Sequence, residues 1–316
     1  MRIVKLLLPS IAAIASINLA VAQPNVAASI KPIHSLVSSV MEGVATPLLL
    51  VEAGSPHTYS LKPSQARYLQ EADAVFWVAH DVETFLEKPL ESIPKDTVVV
   101  ELGETKGLVE LSLREGGLFD SHGHDDHDDH KKHANHEKHD DHGHGEHDPH
   151  FWLDPMNAKV MVREIQSQLS SIDPVNAAKY ESNAKKTEAR LDVLLTELKG
   201  ELAGLQGSEF IAFHDAYQYF ENRFGVKAIG TVTVSPEVMP GAKRLNELRE
   251  KVKSSKATCV FSEPQFEPRV VEVITDGTDA RTGVLDPLGA ELESGTDLYP
   301  NLIRRMAKAF KDCLSS

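Results

Sequence analysis

The sequence predicts an α/β fold with mostly parallel sheets, arranged in two lobes, and three observations carry that prediction. From Val26 onward, short β-branched runs alternate with helical patterns, the rhythm of βαβ units. The rhythm occurs twice, on either side of one long amphipathic stretch near the middle of the chain. At 316 residues the chain is also longer than a single hydrophobic core usually absorbs, so two lobes are the default expectation.

The first segment belongs to neither lobe. Met1-Arg2-Ile3-Val4-Lys5 precedes an apolar run from Leu6 to Ala22 that closes on Ala20-Val21-Ala22, which reads as a secretory signal peptide (1–22) cleaved near Ala22. No later stretch approaches the roughly 20 apolar residues of a membrane span. No Cys stands at the cleavage site to carry a lipid. The expectation is an exported, soluble chain, periplasmic if the source is Gram-negative.

In the first lobe, 23–173, strands are expected near Val26 to Ile30, Pro47 to Val51, Ala74 to Ala79 and Thr97 to Glu101. A helix opens at Pro63, whose fixed φ suits a first turn, and runs through Ala66, Leu69 and Ala72. Asp173-Pro174 reads as an N-cap with Pro at the first helical position. Tyr180, Ala184, Leu191, Leu194, Leu198, Leu202 and Leu205 then recur with helical spacing. They predict one helix over 174–204, about 46 Å long at about 1.5 Å per residue. The second lobe, 205–316, offers strands near Phe210 to His214, Lys227 to Val234, Thr258 to Glu263 and Thr282 to Asp286. Helices near Tyr217, Leu245, Val271 and Ile303 fill its gaps.

One stretch, 116–148, has almost no apolar residues after Phe119 and is dominated by His, Asp and Gly. It cannot bury a core and is expected to be a disordered loop. Much of the chain's formal charge of −14 lies there. That charge argues against nucleic acid or an anionic membrane as partner and mildly favours a cationic one. Cys259 and Cys313 are the two cysteines, and an isolated pair in an exported chain reads as a disulfide before a metal site or a nucleophile.

The 15 histidines are the most informative feature. Ten of them, His122, His124, His127, His130, His133, His136, His139, His142, His144 and His147, fall in the acidic stretch. Imidazole is the commonest ligand for borderline divalent metals, and interleaved Asp concentrates cations nearby, so the stretch is expected to collect metal in weak, exchangeable sites. A solvated linker is the plainer alternative. Five more histidines lie in ordered chain. His57 follows the strand ending near Val51, and His214 closes the strand from Phe210. Loops at the carboxyl ends of parallel strands face the ligand crevice, so both are well placed. His150, in Asp148-Pro149-His150-Phe151-Trp152, sits where the acidic stretch re-enters ordered chain. Asp286 also ends a strand. His34, in an early helix, reads as a cap or surface residue, and His80 as a reserve ligand. Spacing alone leaves a three-His site and scattered structural histidines both open.

These residues carry a resemblance. Ser29-Ile30-Lys31-Pro32, Gly54-Ser55-Pro56-His57-Thr58-Tyr59-Ser60-Leu61-Lys62-Pro63-Ser64 and the acidic His-rich stretch are three of its parts. His150-Phe151-Trp152-Leu153, Phe213-His214-Asp215-Ala216-Tyr217, Glu263-Pro264-Gln265-Phe266 and Leu285-Asp286-Pro287-Leu288-Gly289 are the others. In that order they closely resemble the zinc-binding proteins of bacterial ABC importers, the ZnuA type, over essentially the whole mature chain. The resemblance implies two (β/α) lobes joined by a single long α-helix, with Zn2+ held in the interlobe cleft as cargo. It maps the ligands onto His57, His150 and His214, places a disulfide in the second lobe, and names the membrane permease of an ABC importer as partner; the chain itself is expected to be a monomer. Some zinc members carry Glu just before the first His; here that position is Pro56. The fourth ligand is therefore open between Asp286, water and a histidine of the acidic stretch.

Related manganese importers use two His and two carboxylates, with Glu where His214 stands. Three neutral imidazoles suit Zn2+, whereas Mn2+ favours oxygen. Two rival readings belong to other classes. A zinc hydrolase would share three His and a water but would need a general base, and no His-Glu-x-x-His is present. A metal buffer or adhesin would act through the His-rich stretch, with the lobes as scaffold. The expectation is a transport protein and not an enzyme.

Overall fold

The computed structural model describes residues 23–114, 118–119, 147–233, 236, 238, 240–255, 257–267 and 269–315. The expected signal peptide, and the acidic stretch apart from its two ends, lie outside the described residues.

The strands and helices alternate as expected. In the first lobe they run β1 (Val26–Ile30), α1 (Lys31–Val40), β2 (Leu48–Val51), α2 (Pro63–Gln70), β3 (Ala74–Trp77), α3 (Glu87–Ser92) and β4 (Val98–Glu101). After the His-rich stretch come α4 (Pro155–Ile172) and α5 (Ala177–Leu202). The second lobe holds β5 (Glu209–Ala212), α6 (Gln218–Phe224), β6 (Lys227–Thr231), α7 (Ala242–Ser254), β7 (Cys259–Ser262), α8 (Arg269–Thr275), β8 (Arg281–Val284) and α9 (Leu298–Leu314). The sheets are ordered β2-β1-β3-β4 and β6-β5-β7-β8. Every strand pairing is parallel, so the carboxyl ends of all four strands in each lobe open toward one edge.

The middle of the chain differs from expectation in two ways. The sequence reading assigns no element to 155–172, where α4 forms. Asp154 caps it by accepting from the Met156 amide at 2.8 Å, with Pro155 at the first helical position. The long helix begins at Ala177, not at Pro174. The Asp173 amide is tied back to the Leu169 carbonyl, finishing α4, and its carboxylate accepts from Tyr180 Oη and Asn176 Nδ2, both at 2.7 Å. Asp173-Pro174 is therefore the turn between two helices. These run antiparallel, as the pairs Lys159–Asp192 and Arg163–Glu188 show.

The lobes are also joined by side chains. Lys31, at the start of α1, donates to the carbonyls of Gly289, Ala290 and Leu292 in the second lobe, at 3.2, 2.8 and 3.0 Å. Ser35 Oγ donates to the Gly295 carbonyl at 2.6 Å and accepts from the Tyr299 amide at 3.0 Å. One core cluster runs from Val26 and Phe76 in the first lobe through Trp152 and Leu191 to Phe210 and Phe310 in the second. Cys259 on β7 and Cys313 on α9 form the expected disulfide.

The ends of the His-rich stretch bridge the lobes as well. Leu118 pairs with Gly230 and the Phe119 amide donates to Ile229, extending the β6 edge. Arg114 forks between Asp215 and Glu221 and lies over the Phe119 ring. At the returning end, the Asp148 amide donates to Leu111 at 2.8 Å.

Candidate metal centre

His57 lies in a single 3-10 turn, Pro56–Thr58, reached from β2 through Gly54, whose φ of 85° suits glycine. His214 follows β5 by two residues. His150 enters between the returning end of the acidic stretch and a short 3-10 turn at Phe151–Leu153. Each of the three offers one ring nitrogen, and these nitrogens all lie within 4.8 Å of one another. His150 Nε2 and His214 Nε2 are 3.4 Å apart. A tetrahedral Zn2+ with its nitrogens at about 2.0–2.1 Å sets neighbouring ligands about 3.4 Å apart, so this pair is already spaced for one.

Two carboxylates aim the rings. Asp148 Oδ1 meets His150 Nδ1 at 2.8 Å and also accepts from the His150 amide at 2.9 Å. Glu263, just past β7, meets His214 Nδ1 at 2.7 Å. Both carboxylates are almost wholly buried. A carboxylate on Nδ1 holds the proton there and leaves Nε2 as the free donor, the arrangement that raises imidazole basicity toward a metal. Trp152 packs its ring 5.1 Å from His150, and its Nε1 donates to the Pro287 carbonyl at 2.9 Å. Phe266, Pro287 and Leu288 complete an apolar wall.

Burial, with the neighbouring His150 and His214 adding to it, holds the His57 pKa down to about 3, so this ring is neutral throughout the physiological range. Burial pulls His214 down most strongly, but the carboxylates of Glu263, Asp215 and Asp148 together outweigh it and the net shift is upward. His57 thus presents neutral nitrogen to a cation, and negative charge lies one hydrogen bond behind the rings of His150 and His214.

Asp286 is not brought into this group. Its Oδ1 accepts from the Leu288 and Gly289 amides at 3.0 and 2.9 Å and from Gln265 at 3.2 Å, and its Oδ2 from Ala290 at 2.6 Å. The carboxylate is occupied in shaping its own turn. His80 is partly exposed and faces Glu87 and Asp81 at 2.5 and 3.6 Å, outside the cluster. His34 is neither a cap nor a surface residue: it is buried in α1, with Nε2 3.1 Å from the Pro47 carbonyl, and burial lowers its pKa. His147 is half exposed, 3.6 Å from Glu110. The other nine histidines of the acidic stretch, His122 to His144, lie outside the described residues.

Sequence reasoning did not single out Asp148 or Glu263 as partners of the clustered histidines. Asp148 had a local signal, an acid two residues before a candidate histidine, whereas Glu263 comes from a strand end 49 residues from His214.

A cleft between two parallel-sheet lobes, lined by three converging imidazoles, defines a class: two-lobed proteins that carry a divalent metal. Residues 26–313 match the family described as zinc-uptake complex component A, periplasmic. The chain belongs to this ZnuA family. It is 55% identical over 313 residues to the high-affinity zinc uptake system protein ZnuA of Brucella suis, with 94% of each chain covered. It is 36% identical over 300 residues to the protein of the same name from Yersinia pestis, covering 92% and 91% of the two chains. Among solved structures, a crystal structure of ZnuA superposes with a TM-score of 0.76 at 24% identity, over 93% of this chain and all of that one, which establishes the shared fold.

Proposed function

We propose that this chain captures Zn2+ in the periplasm and delivers it to the membrane permease of an ABC importer. The observation that carries the proposal is the trio of ring nitrogens from His57, His150 and His214, all within 4.8 Å of one another. An all-nitrogen donor set favours Zn2+ over Mn2+. Because Asp286 is engaged by its own turn, water is the fourth ligand in this reading. The family relatives named above are zinc uptake proteins, which supports the same cargo.

The centre reads as a binding site rather than a catalytic one. Asp148 and Glu263, the carboxylates against the rings, are committed to Nδ1 atoms and are not free to act as general bases. The His-rich stretch is an auxiliary collector in this proposal, the chain acts as a monomer, and the leader is removed near Ala22.

The test removes 121–146, strips the metal and measures zinc stoichiometry by competition with a chromophoric chelator, with Mn2+ for comparison. One tight zinc site that survives the deletion and is lost in His57→Ala or His214→Ala supports the cleft reading. Loss of tight binding with the stretch would transfer the metal-binding role there and favour a buffering protein.

A further inference from the structure

The turn from Asp286 to Leu292 is organised from two sides. Its amides, those of Leu288, Gly289 and Ala290, converge on the Asp286 carboxylate. Its carbonyls, those of Gly289, Ala290 and Leu292, converge on the Lys31 ammonium from the other lobe. Gly289 makes this possible with φ at 72°, and a Cβ there would stand only 3.1 Å from Leu292. The same turn supplies Pro287 and Leu288 to the wall of the metal pocket, and the Pro287 carbonyl takes the Trp152 Nε1 hydrogen bond. One lysine of the first lobe therefore grips the piece of the second lobe that closes over the three histidines.

The chemistry of the grip is specific. An ammonium has three donors, and here each meets a neutral carbonyl rather than a carboxylate, so the contact is directional and its loss strands no buried charge. The Lys31 side chain is only partly buried, and carbonyls released at the surface can be hydrated. The contact can therefore break and re-form without unfolding either lobe.

We propose that Lys31 is a latch on the 286–292 turn and sets how fast zinc enters and leaves the pocket without contributing to the ligand set. It is a positioning residue, and the proposal rests on the zinc-capture reading of the cleft. Asp286, which the sequence offered as a ligand, is the inner half of the device: it keeps the turn in the shape that presents three carbonyls to Lys31.

The test loads purified wild type, Lys31→Met, Lys31→Gln and Lys31→Arg with zinc and follows transfer to excess chromophoric chelator by stopped flow. The latch requires release about tenfold faster in Lys31→Met, equivalent to about 1.4 kcal/mol, with unchanged zinc stoichiometry and recovery toward the wild-type rate in Lys31→Arg. A merely structural role would lower the unfolding temperature and leave the release rate alone, and that outcome overturns the latch. If Lys31→Met does not fold, Lys31→Gln, which keeps a donor but no charge, carries the same comparison. A wild-type protein with no tight cleft site would overturn the zinc reading and the latch together. A wild-type site whose release rate ignores Lys31 overturns the latch alone.

Discussion

Asp148 and His150 are joined twice across two residues of chain, the same carboxylate oxygen meeting both the backbone amide and ring Nδ1 of the histidine. The Asp148 backbone is held in turn, its amide on Leu111 and its carbonyl on Tyr219 Oη at 2.8 Å. His150 is thus aimed by a short rigid bracket, and His214 by a long-range one through Glu263.

Removing either bracket weakens zinc without removing a ligand. Asp148→Ala and Glu263→Ala each lower zinc affinity by about 10- to 100-fold, while His57→Ala, His150→Ala and His214→Ala cost more. Chelator competition measures the affinities. Losses for the carboxylate variants equal to those for the histidine variants would overturn this ranking.

Zinc affinity falls as the medium is acidified, and His214 sets where the fall begins. Its pKa is raised above the ordinary 6.5, so its ring takes up a proton at a higher pH than a free imidazole, and zinc must displace that proton. His57, held near 3, does not titrate in this range. Dissociation constants measured from about pH 8 to about pH 5 should rise from a point above the free-imidazole value. Glu263→Gln should move that point downward.

Glu83 makes folding stability depend on pH in the opposite sense to most carboxylates. Burial pushes it up to about 7, against the amides of Val78 and Ala79 that its Oε2 accepts. A raised carboxyl pKa favours the folded state fully below the ordinary 4.5, and that contribution is lost as pH climbs through 7. Urea unfolding of wild type and Glu83→Gln, compared at about pH 5 and pH 8, should shift in favour of the variant by about 2–3 kcal/mol at the higher pH. An identical difference at both values would place the Glu83 pKa elsewhere.

Arg114→Met should destabilise the protein by about 3 kcal/mol, because it leaves Asp215 and Glu221 facing each other in a largely buried position. Urea unfolding reads the loss. The triple variant that also carries Asp215→Asn and Glu221→Gln should recover part of it.

The three clustered histidines were legible because each sits at a boundary that sequence can see: the end of a strand for His57 and His214, and the edge of a low-complexity stretch for His150. Asp286 met the same criterion, yet its carboxylate is turned back onto its own amides, a choice set by the φ of Gly289 rather than by any spacing. Helix α4 is masked in the sequence because Asp173-Pro174 looks like the opening of a helix, when the Asp173 amide in fact closes the one before it. Glu263 and Lys31 act across 49 and about 260 residues of chain, and one-dimensional periodicity carries no information at that range.

The largest apolar cluster runs unbroken through both lobes, from Val26 to Phe310, with a smaller cluster confined to each lobe beside it. Such an interior leaves no seam at which the molecule could be parted into halves that survive alone. The chain should melt as a single cooperative body, and under the proposed latch its cargo would be exchanged by loosening turns at the rim, as a clasp opens on a box whose lid and base were cast in one piece.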